Sequence, residues 1–283
     1  MARLSCAVWC IWLLTAASAG TAQDGSDVRR CVSALREQTS DRGRLAWHDS
    51  LRMHVERLAD SGNALDAGLV DIPTLGVVDA TTRKHRIRVI GWNVLLSDQT
   101  HRYGCFVVWS PTNASEGYAW LERSMDPQQP SWENRTLSDS ANWPGALYYA
   151  ALPQTDRRRS VFLMLGWNGG NAAFNCKLAE TWEIEKDMLR FGTPRIRMQG
   201  RMVTAIVLNS REDVVVSLRW APETKRVIMD HIATPPGTAG VEFSGPDMTY
   251  DALKWRNKSW ALQENVQVIR PRLRSRITFG LWK

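Results

Sequence analysis

Apolar residues recur with a helical period only near the beginning of the chain. The spacing of four and then three residues occurs twice, in Val28, Val32 and Leu35 and in Leu51, Val55 and Leu58. Such spacing places apolar side chains on one face of a helix. We therefore predict one or two short helices between residues 27 and 60, separated near Gly43. Asp49 or Ser50 would cap the second helix, and Gly62 would end it.

From about residue 70 the helical period gives way to short β-rich runs that are separated by turn residues. The runs are Arg86–Leu96, Tyr103–Trp109, Ala146–Leu152, Val161–Trp167, Lys177–Ile184, Met202–Leu208, Val214–Trp220, Arg226–Ile232, Val241–Ser244, Tyr250–Trp255, Ser259–Leu262 and Arg272–Phe279. This spacing predicts a mainly β fold, a sandwich or a barrel-like antiparallel meander, with a small propeller as the lesser alternative. A single β-rich domain would span residues 69–283, after a helical segment at residues 23–68.

One local pattern occurs twice in the β-rich part. Residues 90–93 (Ile-Gly-Trp-Asn) and 165–168 (Leu-Gly-Trp-Asn) each end an apolar run, and each is followed by a cysteine, Cys105 or Cys176. Equivalent positions in two similar hairpins would bring these sulfur atoms together, so Cys105–Cys176 is the disulfide that we favour. Three buried thiols, with Cys31 as the third, are the alternative.

The first 22 residues are organised like a secretory signal peptide. Arg3 supplies the positive charge, residues 4–14 form the apolar stretch, and small residues follow at cleavable positions. The apolar stretch is too short to span a membrane as a helix. We therefore expect an exported protein, periplasmic or secreted, without a membrane span.

The 283-residue chain carries 36 basic and 29 acidic side chains, a formal net charge of +7. Part of the excess is patterned, because alternate residues of a strand share one face and four arginines alternate in this way: Arg270, Arg272, Arg274 and Arg276. Such a face would bind a polyanion, for example an acidic glycan or an anionic envelope component. A solvated sheet face or a charged edge strand is the alternative. Nucleic acid is not an expected partner.

The sequence lacks the common motifs of nucleophilic, zinc-dependent and nucleotide-dependent catalysis. We predict no metal and no cofactor. Carboxylates beside aromatic residues remain candidates for glycan hydrolysis, which uses a pair of acids, and these are Asp247, Asp251 and Glu183. The same residues also fit an ordinary turn and an ordinary strand.

Two tryptophans are candidates for sugar binding, and two histidines are not candidates for a site. Trp132 and Trp143 lie in the polar stretch 110–145, where an exposed ring would stack on a sugar. His48 and His54 lie in or beside the second predicted helix, and we interpret both as surface residues.

Eight stretches follow one another between residues 86 and 251. They are residues 86–92, 100–103, 142–149 (NWPGALYY), 165–169 (LGWNG), 190–194 (RFGTP), 228–232 (IMDHI), 245–247 and 250–251. In this order they resemble a family of exported β-rich proteins of Gram-negative bacteria with no assigned activity. The resemblance implies export and one β-rich unit after a variable N-terminal part. The family's Trp-Asp-Gly turn is Trp167-Asn168-Gly169 in this chain, which weakens any role of the turn in metal binding or proton donation.

These observations favour a non-enzymatic exported protein that binds an envelope glycan or another polyanion. One alternative is a glycan-acting hydrolase that uses paired carboxylates. Another is a structural or assembly component of the cell envelope.

Overall fold

A computed structural model describes residues 25–69, 71–111, 116–121, 143–157, 159–170, 174–211, 213–233 and 245–268. Over these residues the prediction of a mainly β fold with antiparallel sheets and N-terminal helices is confirmed. Three open sheets and one helical layer stack on one another. The predicted runs at 241–244 and 272–279 lie outside the described residues.

The helical layer consists of α1 (residues 25–37) and α2 (Asp41–Asp60). Ser40 caps α2, and its side-chain oxygen accepts a hydrogen bond from the Gly43 backbone N–H at 3.2 Å. The predictions of a cap at Asp49 or Ser50 and of a break at Gly43 are therefore wrong, because a serine oxygen is already available at residue 40. Gly62 follows the end of α2 as predicted, with a φ of 69°.

The strands form a four-stranded, a five-stranded and a six-stranded sheet. The four-stranded sheet contains, in spatial order, β1 (Gly76–Thr81), β2 (His85–Leu95), β3 (His101–Pro111) and β4 (Gly117–Trp120). The five-stranded sheet contains β5 (Leu147–Asp156), β6 (Arg159–Asn168), β7 (Phe174–Glu185), β8 (Met188–Arg190) and β11 (Ala205–Arg211). The six-stranded sheet contains β9 (Ile196–Met198), β10 (Arg201–Val203), β12 (Leu218–Ala221), β13 (Arg226–Ala233), β14 (Gly245–Arg256) and β15 (Ser259–Gln263).

The order of strands is β11-β7-β6-β5 in the five-stranded sheet, with β8 beside β7, and β10-β9-β15-β14-β13-β12 in the six-stranded sheet. Neighbouring strands are antiparallel, except that β9 runs parallel to β15. That pair brings Ile196 beside Trp260. β9 could not be predicted from the sequence, because a three-residue strand has no periodicity of its own.

The five-stranded sheet lies between the other two sheets. Phe162 and Met164 of β6 belong to the core shared with the four-stranded sheet, whereas Leu163 and Leu165 belong to the core shared with the six-stranded sheet. A strand that is buried on both faces has an uninterrupted apolar sequence. This double burial explains the apolar run at residues 161–165.

A third core joins the helices to the outer face of the four-stranded sheet, and it includes Leu51, Val55, Ile90 and Phe106. Beside it, the buried Arg88 donates hydrogen bonds to both Asp79 carboxylate oxygens, at 2.7 and 2.9 Å, and to the Ala64 and Ala67 carbonyl oxygens. These bonds attach the segment after α2 to the sheet. No helix within the described ranges is long and apolar enough to cross a membrane.

Candidate functional site

The residues predicted to bind a polyanion are not placed by the structure. Arg270, Arg272, Arg274, Arg276 and Trp132 lie outside the described residues. The prediction of a basic strand and an exposed Trp132 therefore remains a prediction.

Trp143 is fully buried, so the prediction that it offers an exposed ring is wrong. Its indole N–H donates a hydrogen bond to the Tyr148 hydroxyl at 3.0 Å. The Tyr148 hydroxyl donates in turn to the buried Glu180 carboxylate, which also accepts from the Trp182 indole N–H at 2.9 Å. This network holds Trp143 in the core. The polar sequence around Trp143, residues 110–145, gave no sign of its burial.

The predicted Cys105–Cys176 disulfide is also wrong, because none of the cysteines in the described ranges forms a disulfide. Cys105 lies on β3 in the core between the four-stranded and five-stranded sheets, whereas Cys176 lies on β7 beside Asn168 and Asn209. Both side chains are buried. Burial raises the pKa of Cys176 to about 12, which keeps this thiol protonated and unreactive at neutral pH.

Glu183 belongs to an ion-pair network and not to a pocket. Its two carboxylate oxygens lie 3.0 Å from an Arg159 nitrogen and 2.9 Å from Arg195 Nε. Arg195 also pairs with Asp156 at 3.2 Å. Because both oxygens are paired and the residue is buried, we assign Glu183 a structural role between strands.

Asp251, in contrast, contacts an imidazole, and Asp247 acts electrostatically on the same ring. The pairing of β13 with β14 is irregular between Asp230 and Ile232, and His231 is the residue between them. His231 Nδ1 lies 2.8 Å from Asp251 Oδ2, and the other Asp251 oxygen accepts from the Asn265 N–H at 3.0 Å. The Asp251 carboxylate is therefore fixed from both sides, while the His231 side chain is 39% exposed.

The hydrogen bond that His231 donates to Asp251 raises the pKa of His231, and the charges of Asp251, Asp247 and Glu264 act in the same direction. Asp247 accepts hydrogen bonds from the backbone N–H and the hydroxyl of Thr249, at 2.9 and 2.7 Å, which lowers the pKa of Asp247. An imidazole held through Nδ1 keeps Nε2 for proton transfer. Within the described ranges, no group of His, Cys, Asp and Glu side chains has the geometry of a metal site.

A second cluster lies where the two Gly-Trp-Asn patterns meet, and we call Asn93, His101 and Trp167 the Trp167 site. The antiparallel pairing of β2 with β3 places Asn93 and His101 near one another, and the Asn93 side-chain nitrogen lies 2.8 Å from His101 Nδ1. The His101 ring meets the Trp167 ring in an edge-on arrangement with centroids 5.5 Å apart. All three side chains are half-buried, so part of each reaches the surface.

Two glycines allow the strands to approach closely at this site. A Cβ atom at Gly169 would overlap the His101 ring, and a Cβ atom at Gly145, where φ is 92°, would overlap the Tyr103 ring. The Gly169 N–H donates a hydrogen bond to the Tyr103 hydroxyl at 2.7 Å. The Asn168 side-chain oxygen accepts from the Gly170 N–H at 2.7 Å, so this asparagine shapes the turn.

A Ser–His–Asp chain that the sequence analysis missed lies between the four-stranded and five-stranded sheets. His85 Nδ1 lies 2.7 Å from Ser160 Oγ, and His85 Nε2 lies 3.2 Å from Asp187 Oδ1. Ser160 is fully buried, and its oxygen also lies 2.6 Å from Thr82 Oγ1. Because a catalytic nucleophile must reach its substrate, we interpret this chain as a structural contact between sheets.

Comparison of the chain with protein families, with curated proteins and with solved structures found no match. The resemblance to exported Gram-negative proteins therefore remains a prediction from the residues quoted for it.

Proposed function

We propose that this chain is an exported, non-enzymatic protein that binds an envelope glycan at the Trp167 site. The observation that carries the proposal is the half-buried Trp167 ring, held edge-on against His101 beside the Asn93 amide. A tryptophan that is fixed by its neighbours offers a flat apolar surface to the C–H face of a sugar ring.

The polar groups of the Trp167 site suit a ligand with many hydroxyl groups. Asn93 directs its side-chain nitrogen to His101 Nδ1, and the residue is half-buried. An amide oxygen and a second amide hydrogen can accept from and donate to neighbouring hydroxyl groups. The combination of one aromatic face and a few oriented polar groups is typical of small-molecule sites.

Export is part of the same proposal and rests on the signal-peptide pattern of residues 1–22. A protein that acts in the periplasm or outside the cell meets envelope glycans directly. The basic residues predicted at 270–276 would add affinity for acidic glycans.

Isothermal titration of residues 23–283 with neutral peptidoglycan fragments, lipopolysaccharide and a synthetic polyanion tests the proposal. Trp167→Ala should weaken glycan binding at least about tenfold, as expected for a central aromatic contact. The matched control is Trp47→Ala, a half-buried tryptophan on α2, which should bind like the wild type. Equal affinity of the two variants for every glycan would contradict the Trp167 site.

The hypothesis that the basic residues bind a polyanion is tested with the double variant Arg272→Glu and Arg274→Glu. This change should abolish binding of acidic ligands and leave neutral fragments unaffected. Unchanged affinity for the polyanion would refute that version. A panel without any binding would favour a structural or assembly role in the envelope.

A second candidate function is a glycan-acting hydrolase, and the His231 surroundings favour it. Asp247 and Asp251 both act electrostatically on this partly exposed imidazole, although Glu183 does not join them. If the chain hydrolyses glycans, Asp251→Asn should remove product formation while binding at the Trp167 site persists. Absence of reducing-sugar release by the wild type would exclude this candidate.

A further inference from the structure

Two consecutive strands form the edges of two different sheets. β10 is the last strand of the six-stranded sheet, β11 is the last strand of the five-stranded sheet, and only Thr204 separates them. Within the described ranges, β10 pairs with β9 alone and β11 pairs with β7 alone. The outer side of an edge strand carries backbone N–H and C=O groups that can pair with another chain.

A groove of about 500 Å³ runs along this double edge. Its apolar lining comes from Met198, Val203, Ala205, Ile206 and Val207, and its charged lining residue is Arg201. The turn between β9 and β10 has positive φ values at Gln199 and Gly200, 49° and 79°, so the hairpin bends tightly next to the groove.

The sequence of β11 lacks the usual protection of an edge strand. Residues 205–208 are Ala-Ile-Val-Leu, and Ile206 and Val207 are only half-buried. Natural sheets protect such edges with inward-pointing charges, prolines or bulges. β11 has none of these over residues 205–208, and its pairing with β7 is regular from Ala205 to Arg211.

We propose that the β11 edge binds an extended peptide segment of a partner protein, which adds a strand to the five-stranded sheet. Main-chain hydrogen bonds to β11 would supply affinity, and alternate apolar side chains of the peptide would enter the groove. Arg201 is exposed at the groove and selects a segment with a carboxylate at the matching end. The seven residues of β11 span roughly 24 Å, so the peptide needs about seven residues.

A peptide fits these observations better than a small apolar ligand does. A small ligand would leave the backbone groups of the strand edge without partners, whereas a strand satisfies them along its whole length. A second copy of this chain is the competing occupant, and the oligomeric state separates the two.

The probe is a fluorescein-labelled seven-residue peptide of alternating Val and Thr that ends in Glu, and a second peptide ends in Lys. Fluorescence anisotropy with residues 23–283 should show saturable binding of the Glu peptide and at least about fivefold weaker binding of the Lys peptide. Arg201→Glu should reverse this preference. Arg219→Glu changes the net charge equally at the opposite edge strand, β12, where it is exposed, and should retain the wild-type preference.

Hydrogen exchange locates the bound peptide. Amides of residues 205–211 should exchange more slowly when the Glu peptide is bound, and Val207→Lys should remove both the protection and the binding. Protection confined to another strand, or equal effects of Arg201→Glu and Arg219→Glu, would overturn the proposal. Dimerisation through residues 205–211 without peptide, measured by analytical ultracentrifugation, would overturn it in favour of a second copy.

Discussion

The two Gly-Trp-Asn patterns have nearly the same local sequence and end in different surroundings. Trp92 is 2% exposed, and its indole N–H donates a hydrogen bond to His48 Nδ1 at 2.9 Å. Trp167 is half-buried and touches His101 edge-on. The first ring belongs to the core beneath the helical layer, whereas the second lies near the end of β6 and outside that core. The covering layer, and not the local pattern, therefore decides whether such a tryptophan is buried or partly exposed.

The glycines of the two patterns, Gly91 and Gly166, differ in the room that their neighbours leave for a side chain. A Cβ atom at Gly91 would lie 3.7 Å from the nearest atom, a Leu147 methyl carbon, which is ordinary contact. A Cβ atom at Gly166 would lie 3.1 Å from the Tyr148 ring, which is too close without movement. An added methyl group would therefore press on the Tyr148 ring at Gly166 and would find ordinary contact at Gly91.

The largest expected difference between the two patterns is in stability. Trp92→Ala should lower the free energy of unfolding by about 3–5 kcal/mol, because it empties a core position and removes the partner of His48. Trp167→Ala should cost only about 1–2 kcal/mol, since part of its surface is already in water. Urea denaturation measures both values. Equal losses would show that the helical layer does not distinguish the two rings.

The next difference is in pH dependence. Burial, with a contribution from the charge of Arg102, lowers the pKa of His48 from 6.5 to about 4. The unfolded chain therefore takes up a proton between pH 6.5 and pH 4 that the folded chain does not, so stability falls as the pH falls through this window. The titration of His48 therefore lowers the free energy of unfolding by about 3 kcal/mol across this window.

His48→Gln tests this dependence, because glutamine keeps an acceptor for the Trp92 indole and does not titrate. The variant should lose less stability than the wild type between pH 6.5 and pH 4, by up to about 3 kcal/mol. Denaturation curves at four pH values in this window measure the slope. Parallel slopes for the two proteins would contradict a neutral buried His48.

A smaller difference in stability is expected between alanine variants of Gly166 and Gly91. Gly166→Ala should destabilise by about 1–2 kcal/mol through overpacking against Tyr148. Gly91→Ala should be neutral or stabilise by up to about 1 kcal/mol, because alanine restricts the unfolded chain. Thermal unfolding compares the two variants directly. The reverse order would mean that the Tyr148 ring moves aside more easily than its hydrogen bonds with Trp143 and Glu180 indicate.

The smallest effect concerns the cysteines that follow the two patterns. Residues 23–283 should unfold at the same temperature with and without a reductant, because Cys105 and Cys176 form no disulfide in the structure. Thiol-specific labelling should be slow in the folded protein and complete in urea. A lower melting temperature with reductant would show that Cys105 and Cys176 do form a disulfide.

The helices and most strands follow from periodicity, because their apolar residues recur on definite faces. The stacking of three sheets does not, since the apolar run of β6 fits any strand that is buried on both sides. His48 and Trp143 were misplaced for a related reason. Each is a polar or amphipathic residue whose polar atom is hydrogen-bonded inside the core, His48 to Trp92 and Trp143 to Tyr148.

Part of the Trp167 site could be predicted from the sequence. Asn93 and His101 lie on opposite sides of a predicted turn, so hairpin pairing brings them together. Their meeting with Trp167 depends on contact between two sheets, for which the sequence offers no local signal. The contact between His231 and Asp251 has no local signal in the sequence either. It depends on the pairing of β13 with β14 within one sheet and on the irregularity at residues 230–232.

The chain crosses between the five-stranded and six-stranded sheets more than once. It leaves the first sheet after β8, forms β9 and β10 in the second, returns for β11 and leaves again for β12. Neither sheet is therefore made from one continuous segment. A fragment that ends before residue 196 lacks an edge of the inner sheet, and the complementary fragment carries that edge without its neighbour β7. Cutting the chain anywhere within residues 196–218 would therefore separate strands that pair with one another.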